Sequence, residues 1–338
     1  MPNAFISGTG FFVPPRVVTN DDLAKSYGID TTHEWVVTRT GIEQRHFAEP
    51  GIGPSDLGEK AARDAIERAG LKTTDIGMIL FATLSPEYAF PGSGVFLQEK
   101  LGLEGVPAMD IRNQCSGFLY GLSTAAALVE SGSMQHVLVV GAEVHSAALD
   151  LSTRGRAVSS LFGDGAGAVV VSRTTSEERK IMGWVLGADG RYKDMLAQRI
   201  WDTRQRPFIP LDGEGNGVVK PEMMWAQMNG RAVFKHAVEK MCTSLAGICW
   251  QHKLTTDDLD LVVFHQANMR INQTVQELLG LPPEKVPHTI RRYGNTTAAT
   301  IPITLAECEQ NGQLKQGMTV ALAAFGSGFT WGAALVRW

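Results

Sequence analysis

The chain repeats itself once, and this restricts its possible folds more than any other feature. In the first half, an apolar stripe at helical spacing (Leu57, Ala61, Ala65, Ile66, Ala69) leads through Thr73-Thr74-Asp75 into the β-rich run Met78-Ile79-Leu80-Phe81. In the second, the stripe Phe234, Val238, Met241, Leu245, Ile248 leads through Thr255-Thr256-Asp257 into Leu261-Val262-Val263-Phe264. Gln114-Cys115-Ser116-Gly117 then opens a helix to Glu130, followed by Ser131-Gly132 and the strand Val137–Gly141. Asn295-Thr296-Thr297 opens its counterpart to Glu309, followed by Asn311-Gly312 and the strand Thr319–Leu322. A short hydrophobic strand closes each half, Gly167–Val171 and Gly332–Val336.

Strands alternating with helices predict an α/β protein whose parallel sheets are covered on both faces. The repeat is far longer than a solenoid unit, so it reads as a duplicated domain, with halves 1–175 and 176–338. The stretch 183–227, rich in Gly, Asp, Arg and Trp, breaks the symmetry. It reads equally as a loop-rich insertion at a substrate entrance and as a surface elaboration.

Composition removes several classes of function. Apolar residues make up 44% and charged residues 20%, as in a soluble globular protein. A formal net charge of −4 gives no general nucleic-acid footprint. No apolar run approaches the ~20 residues of a membrane span. Met1-Pro2-Asn3-Ala4-Phe5-Ile6-Ser7 lacks a basic region before an apolar one, so no secretory signal is expected and the cytoplasm is the expected compartment. The four cysteines form no C-x-x-C pair, so reduced thiols and no metal site are expected. Cys242 and Cys249, seven apart in a periodic segment, read as the buried stripe of a helix.

Duplication matters because equivalent elements carry different chemistry. Cys115 stands where a strand (Ala108-Met109-Asp110-Ile111) turns into a small-residue helix. There the helix dipole and free N–H groups favour thiolate, and Gly117 permits close packing. His265 ends a buried run and begins His265-Gln266-Ala267-Asn268, where an imidazole can donate to an oxyanion or act as a base. Asn295 suits either a donor role or a helix cap. Ala82 is the counterpart of His265, so one half keeps a nucleophile and the other the polar donors.

The chain resembles the β-ketoacyl-acyl-carrier-protein synthase III family of the thiolase superfamily. The resemblance rests on Trp35, Arg39, Gly41-Ile42-Glu43, Ala89-Phe90-Pro91, Cys115-Ser116-Gly117-Phe118 and Phe162-Gly163-Asp164-Gly165-Ala166-Gly167. It continues through His265-Gln266-Ala267-Asn268, Gly294-Asn295-Thr296 and Phe325-Gly326-Ser327-Gly328-Phe329-Thr330-Trp331-Gly332. It implies the thiolase fold, an αβαβα sandwich, and a decarboxylative Claisen condensation of acyl-CoA with malonyl-acyl-carrier protein. Cys115 would carry the acyl group, while His265 and Asn295 would stabilise the enolate. The backbone N–H groups of Cys115 and Ser327 would form a second oxyanion hole. CoA and carrier-protein thioesters are then substrates, and no cofactor is expected.

By the same resemblance, Trp35 with Arg154 or Arg156 would sandwich the CoA adenine, with Arg39 nearby. Phe90 would close the acyl pocket of a partner subunit in a homodimer, and Lys235 and Arg270 would receive the acidic carrier protein. Arg231 stands where a smaller amide is usual near the pantetheine. Arg112, Asn113, Gln114 and Ser327 also depart from the family pattern, which leaves the primer open between acetyl-CoA, a medium-chain acyl-CoA and a specialised precursor. The competing enzyme reading is an acyltransferase that passes the Cys115-bound acyl group to an oxygen or nitrogen acceptor; a silent scaffold subunit is the non-enzymatic one.

Overall fold

The structure, a computed structural model, describes residues 2–200 and 202–338. The first half supplies β1 (Asn3–Phe12), β2 (Met78–Ala82), β3 (Ala108–Ile111), β4 (His136–Glu143) and β5 (Gly165–Thr174), arranged β1-β5-β4-β2-β3. The second supplies β6 (Lys180–Ala188), β7 (Leu261–Phe264), β8 (Thr319–Gly326) and β9 (Thr330–Arg337), arranged β7-β8-β9-β6. Without β3, the two sheets have the same order: β6 replaces β1, β7 replaces β2, β8 replaces β4 and β9 replaces β5.

Among the strands named, β2 pairs in parallel with β3 and β4, and β7 with β8. The closing strand of each half is antiparallel to both its neighbours. A tight turn from Gly326 to Thr330 can only return the chain antiparallel, whereas β2 reaches its parallel partners through helical crossovers.

Six helices build the layers: α1 (Pro54–Arg68), α2 (Ser93–Lys100), α3 (Gly117–Glu130), α4 (Gly230–Gln251), α5 (Met269–Leu278) and α6 (Thr300–Gln310). Leu119 and Leu122 of α3 and Ile301 and Leu305 of α6 share one core with Val139 of the first sheet and Val263 and Leu322 of the second. Helices α3 and α6 therefore form the middle layer, and each is apolar on most of its circumference, as a helix between two sheets must be. Leu57, Ala61, Ala65 and Ile66 of α1 cover the opposite face of the first sheet, on Phe81, Val140 and Ala168. Ala237, Met241, Leu245 and Ile248 of α4 do the same for the second, on Val262, Ala323 and Leu335. Val139 and Val140 thus face different cores, the period of two of a strand buried on both sides. The result is the expected five-layer αβαβα sandwich. On α4, Cys249 is buried and Cys242 half-buried. Among the described residues, no helix is long and apolar enough to cross a membrane.

The asymmetric segment begins later than expected. Residues 183–188 belong to β6, the edge strand paired with β9. Their glycines are packing features: a Cβ on Gly187 would lie 2.4 Å from the Trp331 ring, and one on Gly183 2.7 Å from His252 Nε2. Only beyond Ala188 does the chain leave the repeat, and it returns as a two-stranded ribbon, Leu196–Ala197 with Gln227–Met228.

Candidate active site

The first half delivers Cys115 where β3 turns into central helix α3; the second delivers His265 at the C-terminal end of β7 and Asn295 just before central helix α6. After β3 the chain passes through Gln114, held at φ 46°, into a 3-10 turn over Gln114–Ser116 and then α3. The second half reproduces this turn at Thr297–Ala299, with Thr297 at φ 49°. Gln114 and Thr297 are therefore equivalent, and Ala298 is the counterpart of Cys115. Two non-glycine residues in the left-handed region mark backbone held against its preference by its surroundings.

The equivalent turns exchange partners across the interface between the halves. A Cβ on Gly326, at the end of β8, would lie 2.9 Å from Cβ of Cys115. A Cβ on Gly141, in β4, would lie 2.4 Å from the carbonyl oxygen of Ala298. Each central helix thus begins against a glycine of the other half's sheet, which brings Cys115 to the residues of the second half.

Cys115 is buried, with 8% exposure. Burial first and the charge of Glu143 second push its thiol up to about 12, against the opposing pull of the Cys115 and Ser327 N–H groups and the Thr297 hydroxyl. The helix-start reading anticipated those donors but not the outcome: in the resting site desolvation outweighs them. Glu143, fully buried, is itself pushed up to about 7 by burial, although it accepts from Ser85 Oγ at 2.6 Å, from the Leu84 N–H at 3.1 Å and from Thr83 Oγ1 at 3.1 Å.

His265 follows β7, its N–H bonded to the Ala323 carbonyl at 2.8 Å. Burial lowers its pKa to about 3, so the ring is neutral. Nδ1 lies 2.7 Å from Thr300 Oγ1, while Nε2 is buried with no partner among the described residues. The Thr300 hydroxyl also stands 3.0 Å from the Thr297 carbonyl, and the acceptor it chooses fixes the ring's tautomer. Asn295 Oδ1 accepts the Thr297 N–H at 2.8 Å, which leaves its Nδ2 as the free end. Its main chain is bound by Leu161 and Gly163. Gly163 is needed there because a Cβ would meet the Tyr293 carbonyl at 2.3 Å. The Asn295 side chain thus acts locally, although the N-cap positions fall on Thr296 and Ala299 and not on Asn295, and it still presents a donor.

Cys115, His265 and Asn295 line one apolar cavity of about 120 Å³ with Phe162, Phe234 and Phe325. Leu196 and Met228, from the ribbon of the asymmetric segment, form part of its wall. Ser327, in the β8–β9 turn, donates its hydroxyl to the Leu196 carbonyl, so its extra side chain ties that wall to the turn.

The remaining sequence-predicted residues divide by position. Trp35 lies on the helix His33–Thr40, half-buried, with Arg39 Cζ 4.4 Å and Arg156 Cζ 4.8 Å from its ring centroid. Arg154 is instead paired with Asp150 at 2.7 Å, so of the two candidate arginines only Arg156 reaches Trp35. The Asn268 side chain donates to the Arg39 carbonyl at 3.0 Å and links the Trp35 helix to the His265 loop. Arg231 is exposed in the first turn of α4 and does not line the cavity, although its neighbour Gly230 does. Lys235 and Arg270 are exposed, with Arg270 Cζ 6.0 Å from the Phe234 ring at the cavity. Arg112 is exposed, and Asn113 and Gln114 are half-buried beside the nucleophile. Phe90 is 84% exposed on the loop between β2 and α2.

Four residues at the site escaped sequence reading: Glu143, His145, Thr297 and Thr300. The repeat carried a usable signal for Thr297, since aligning the two helix starts sets it against Gln114.

Comparison with known proteins then fixes the family. Residues 109–190 match 3-oxoacyl-[acyl-carrier-protein] synthase III, and residues 249–338 match the C-terminal part of that synthase. The β-ketoacyl-[acyl-carrier-protein] synthase III of Geobacillus kaustophilus is 42% identical over 335 residues, covering 99% of both chains. The chain belongs to the 3-oxoacyl-[acyl-carrier-protein] synthase III family. A synthase III of Rhizorhabdus wittichii is 40% identical over the whole of both chains. The crystal structure of the synthase III from Aquifex aeolicus superposes with a TM-score of 0.88 at 37% identity, covering 99% of this chain and 100% of that one. As a synthase III, the chain is an enzyme of the condensing type and carries the thiolase fold.

Proposed function

We propose that the chain joins an acyl-CoA primer to malonyl-acyl-carrier protein by decarboxylative Claisen condensation, initiating fatty-acid synthesis or a related pathway. The observation that carries this reading is a buried His265 Nε2 without a partner among the described residues, in the same apolar cavity as Cys115 and Asn295. An orphaned polar atom there costs stability unless a substrate completes it.

The Cys115 sulfur attacks the acyl-CoA carbonyl, CoA leaves as its thiol, and a thioester remains on the protein. The malonyl thioester then loses CO₂. Thr300 donates a hydrogen bond to Nδ1 of the neutral His265 ring, so the ring proton sits on Nε2, and Nε2–H and the Asn295 amide donate to the developing enolate oxygen. The enolate carbon attacks the Cys115 thioester, whose oxygen is held by the Cys115 and Ser327 N–H groups. The new carbon–carbon bond releases a β-ketoacyl thioester and the Cys115 thiolate, which takes up one proton. Burial of His265 suits this assignment, because a neutral ring is a donor that needs no deprotonation.

Trp35 and Arg156 receive the CoA adenine, with Arg39 beside them; Lys235 and Arg270 receive the carrier protein. The enzyme works as a cytoplasmic homodimer in which Phe90 reaches the partner's acyl pocket, in keeping with the exposure of Phe90 and of Tyr88 (61%). No cofactor beyond the thioester substrates enters the reaction.

Intact-mass analysis with acyl-CoAs of increasing chain length, followed by malonyl-acyl-carrier protein, tests the reading. A Cys115 adduct that malonyl thioester discharges, with β-ketoacyl product appearing, supports it and ranks the primers. An adduct that only an alcohol or amine discharges supports the acyltransferase reading instead.

A further inference from the structure

Two hydroxyls beside the nucleophile have no part in the reaction as written. Ser116, the residue after Cys115, is wholly buried. Its Oγ lies 2.8 Å from Oγ1 of Thr330, the first residue of β9, and 2.9 Å from the Asn113 carbonyl. Thr330, half-buried, faces two carbonyls as well: that of Ser327 at 3.1 Å and, across the boundary between the halves, that of Asn113 at 3.3 Å. Two hydroxyls carry two protons. With Ser116 donating to Thr330, the Thr330 proton goes to the nearer carbonyl, that of Ser327. One unbroken line of bonds then runs from the residue after the nucleophile to the residue after Gly326.

We propose that Ser116 and Thr330 are positioning residues whose hydroxyl bridge locks the β8–β9 turn onto the nucleophile turn, fixing the Ser327 N–H as an oxyanion donor. The proposal deepens the reaction proposed above and rests on it for the role of that N–H. The turn already meets the nucleophile at Gly326, where a Cβ would lie 2.9 Å from Cβ of Cys115. One point of close packing sets a distance but leaves the turn free to pivot about it. The bridge from Ser116 in the first half to Thr330 in the second supplies the second point, and two points fix a direction. A third restraint acts on Ser327 itself, whose hydroxyl donates to the Leu196 carbonyl of the cavity wall. Ser116 is sealed from water, so its bonds are not exchanged for bonds to solvent. Direction matters because an oxyanion donor works by preorganisation: it must be aimed where charge develops before the reaction begins. The lock therefore serves acyl transfer, which passes through a tetrahedral oxyanion, and not simple displacement by the Cys115 sulfur. That difference separates a positioning role from a merely structural one.

The test compares three reactions of Cys115 in the full-length protein, each read by peptide mass: acylation by acyl-CoA, acylation by p-nitrophenyl acetate, and alkylation by iodoacetamide. Thr330→Val, isosteric with the parent, removes both links across the boundary and is expected to slow acylation by either donor about tenfold. Ser116→Ala removes one link and should slow it about fivefold. Thr330→Ser keeps the hydroxyl and should stay within about twofold of the parent. The double variant Ser116→Ala with Thr330→Val should be no slower than Thr330→Val, because both remove the same bridge. Alkylation should stay within about twofold of the parent in every variant, since displacement of iodide builds no oxyanion. Parent-like acylation in Thr330→Val overturns the lock; if that variant does not fold, parent-like acylation in Ser116→Ala does so. Alkylation that slows as much as acylation, or losses that multiply in the double variant, also overturn it. Acylation that follows this pattern with p-nitrophenyl acetate but never occurs with acyl-CoA keeps the lock and refutes the proposed reaction. A parent that iodoacetamide alkylates but neither acyl donor acylates overturns both.

Discussion

Gly326 and Cys115 touch across the boundary between the two halves so closely that a methyl group on Gly326 would lie 2.9 Å from Cβ of Cys115 and 3.0 Å from its nitrogen. Gly141 and Ala298 repeat the relationship with the halves reversed. The next residue, Ser327, carries an N–H that favours the Cys115 thiolate, so the glycine matters for chemistry as well as packing.

Gly326→Ala should therefore fold and load acyl-CoA about 100-fold more slowly, since a shift of the nucleophile by a fraction of an ångström spoils its alignment with the oxyanion donors. Single-turnover loading followed by mass is the measurement. Loading at the parental rate would show that the contact is not needed.

Cys115→Ala is expected to abolish acyl loading. His265→Ala and Asn295→Ala should load normally and lose condensation by at least about 100-fold, because each removes a donor to the enolate. Mass analysis of the loaded enzyme and product detection separate the two half-reactions. Loss of loading in both histidine and asparagine variants would contradict the division of roles.

Thr300→Val strands Nδ1 of His265 without its 2.7 Å partner. An unmet buried polar atom costs about 1–3 kcal/mol, which denaturant unfolding will show. Condensation should fall more than loading, because the valine no longer directs the imidazole proton to Nε2.

Glu143 gives the fold a pH dependence of definite sign. Its pKa rises from 4.5 to about 7 on folding, so its contribution to stability is full below pH 4.5 and is lost as pH rises through about 7. His145 and His265 act oppositely: lowered from 6.5 to about 3, they contribute fully above pH 6.5 and lose that contribution as the pH falls. Subtracting the unfolding free energy of Glu143→Gln from that of the parent at each pH isolates the carboxyl. The difference should drop by about 3 kcal/mol between pH 4.5 and 7. A flat difference would mean that the carboxyl is ionised throughout.

Trp35→Ala should raise the KM for acyl-CoA about tenfold and leave kcat nearly unchanged, as expected for loss of base stacking remote from the reacting carbonyl. Arg156→Ala should act in the same direction. Arg154→Ala should not, because its guanidinium is held by Asp150 away from Trp35. Initial-rate kinetics on the three proteins distinguish them.

Local order decided what the sequence by itself could determine. Helical stripes, β-rich runs and their repetition are written in neighbouring residues, so the duplicated α/β plan and the placing of Cys115 and Asn295 at helix starts and of His265 at a strand end were legible without coordinates. The edge strand β6 was not, because Gly183 and Gly187 read as loop residues until Trp331 and His252 are seen to occupy the space above them. What only the tertiary structure decided are relationships between distant segments. The pairing of Arg156 rather than Arg154 with Trp35 depends on where Asp150 lies in space. The thiol's raised pKa depends first on its burial and then on Glu143, and the neutrality of His265 on how completely the two halves exclude water. His145, Thr297 and Thr300 were invisible for the same reason: hydrogen-bond partnership and desolvation belong to the packed whole, and no periodicity in the chain records them.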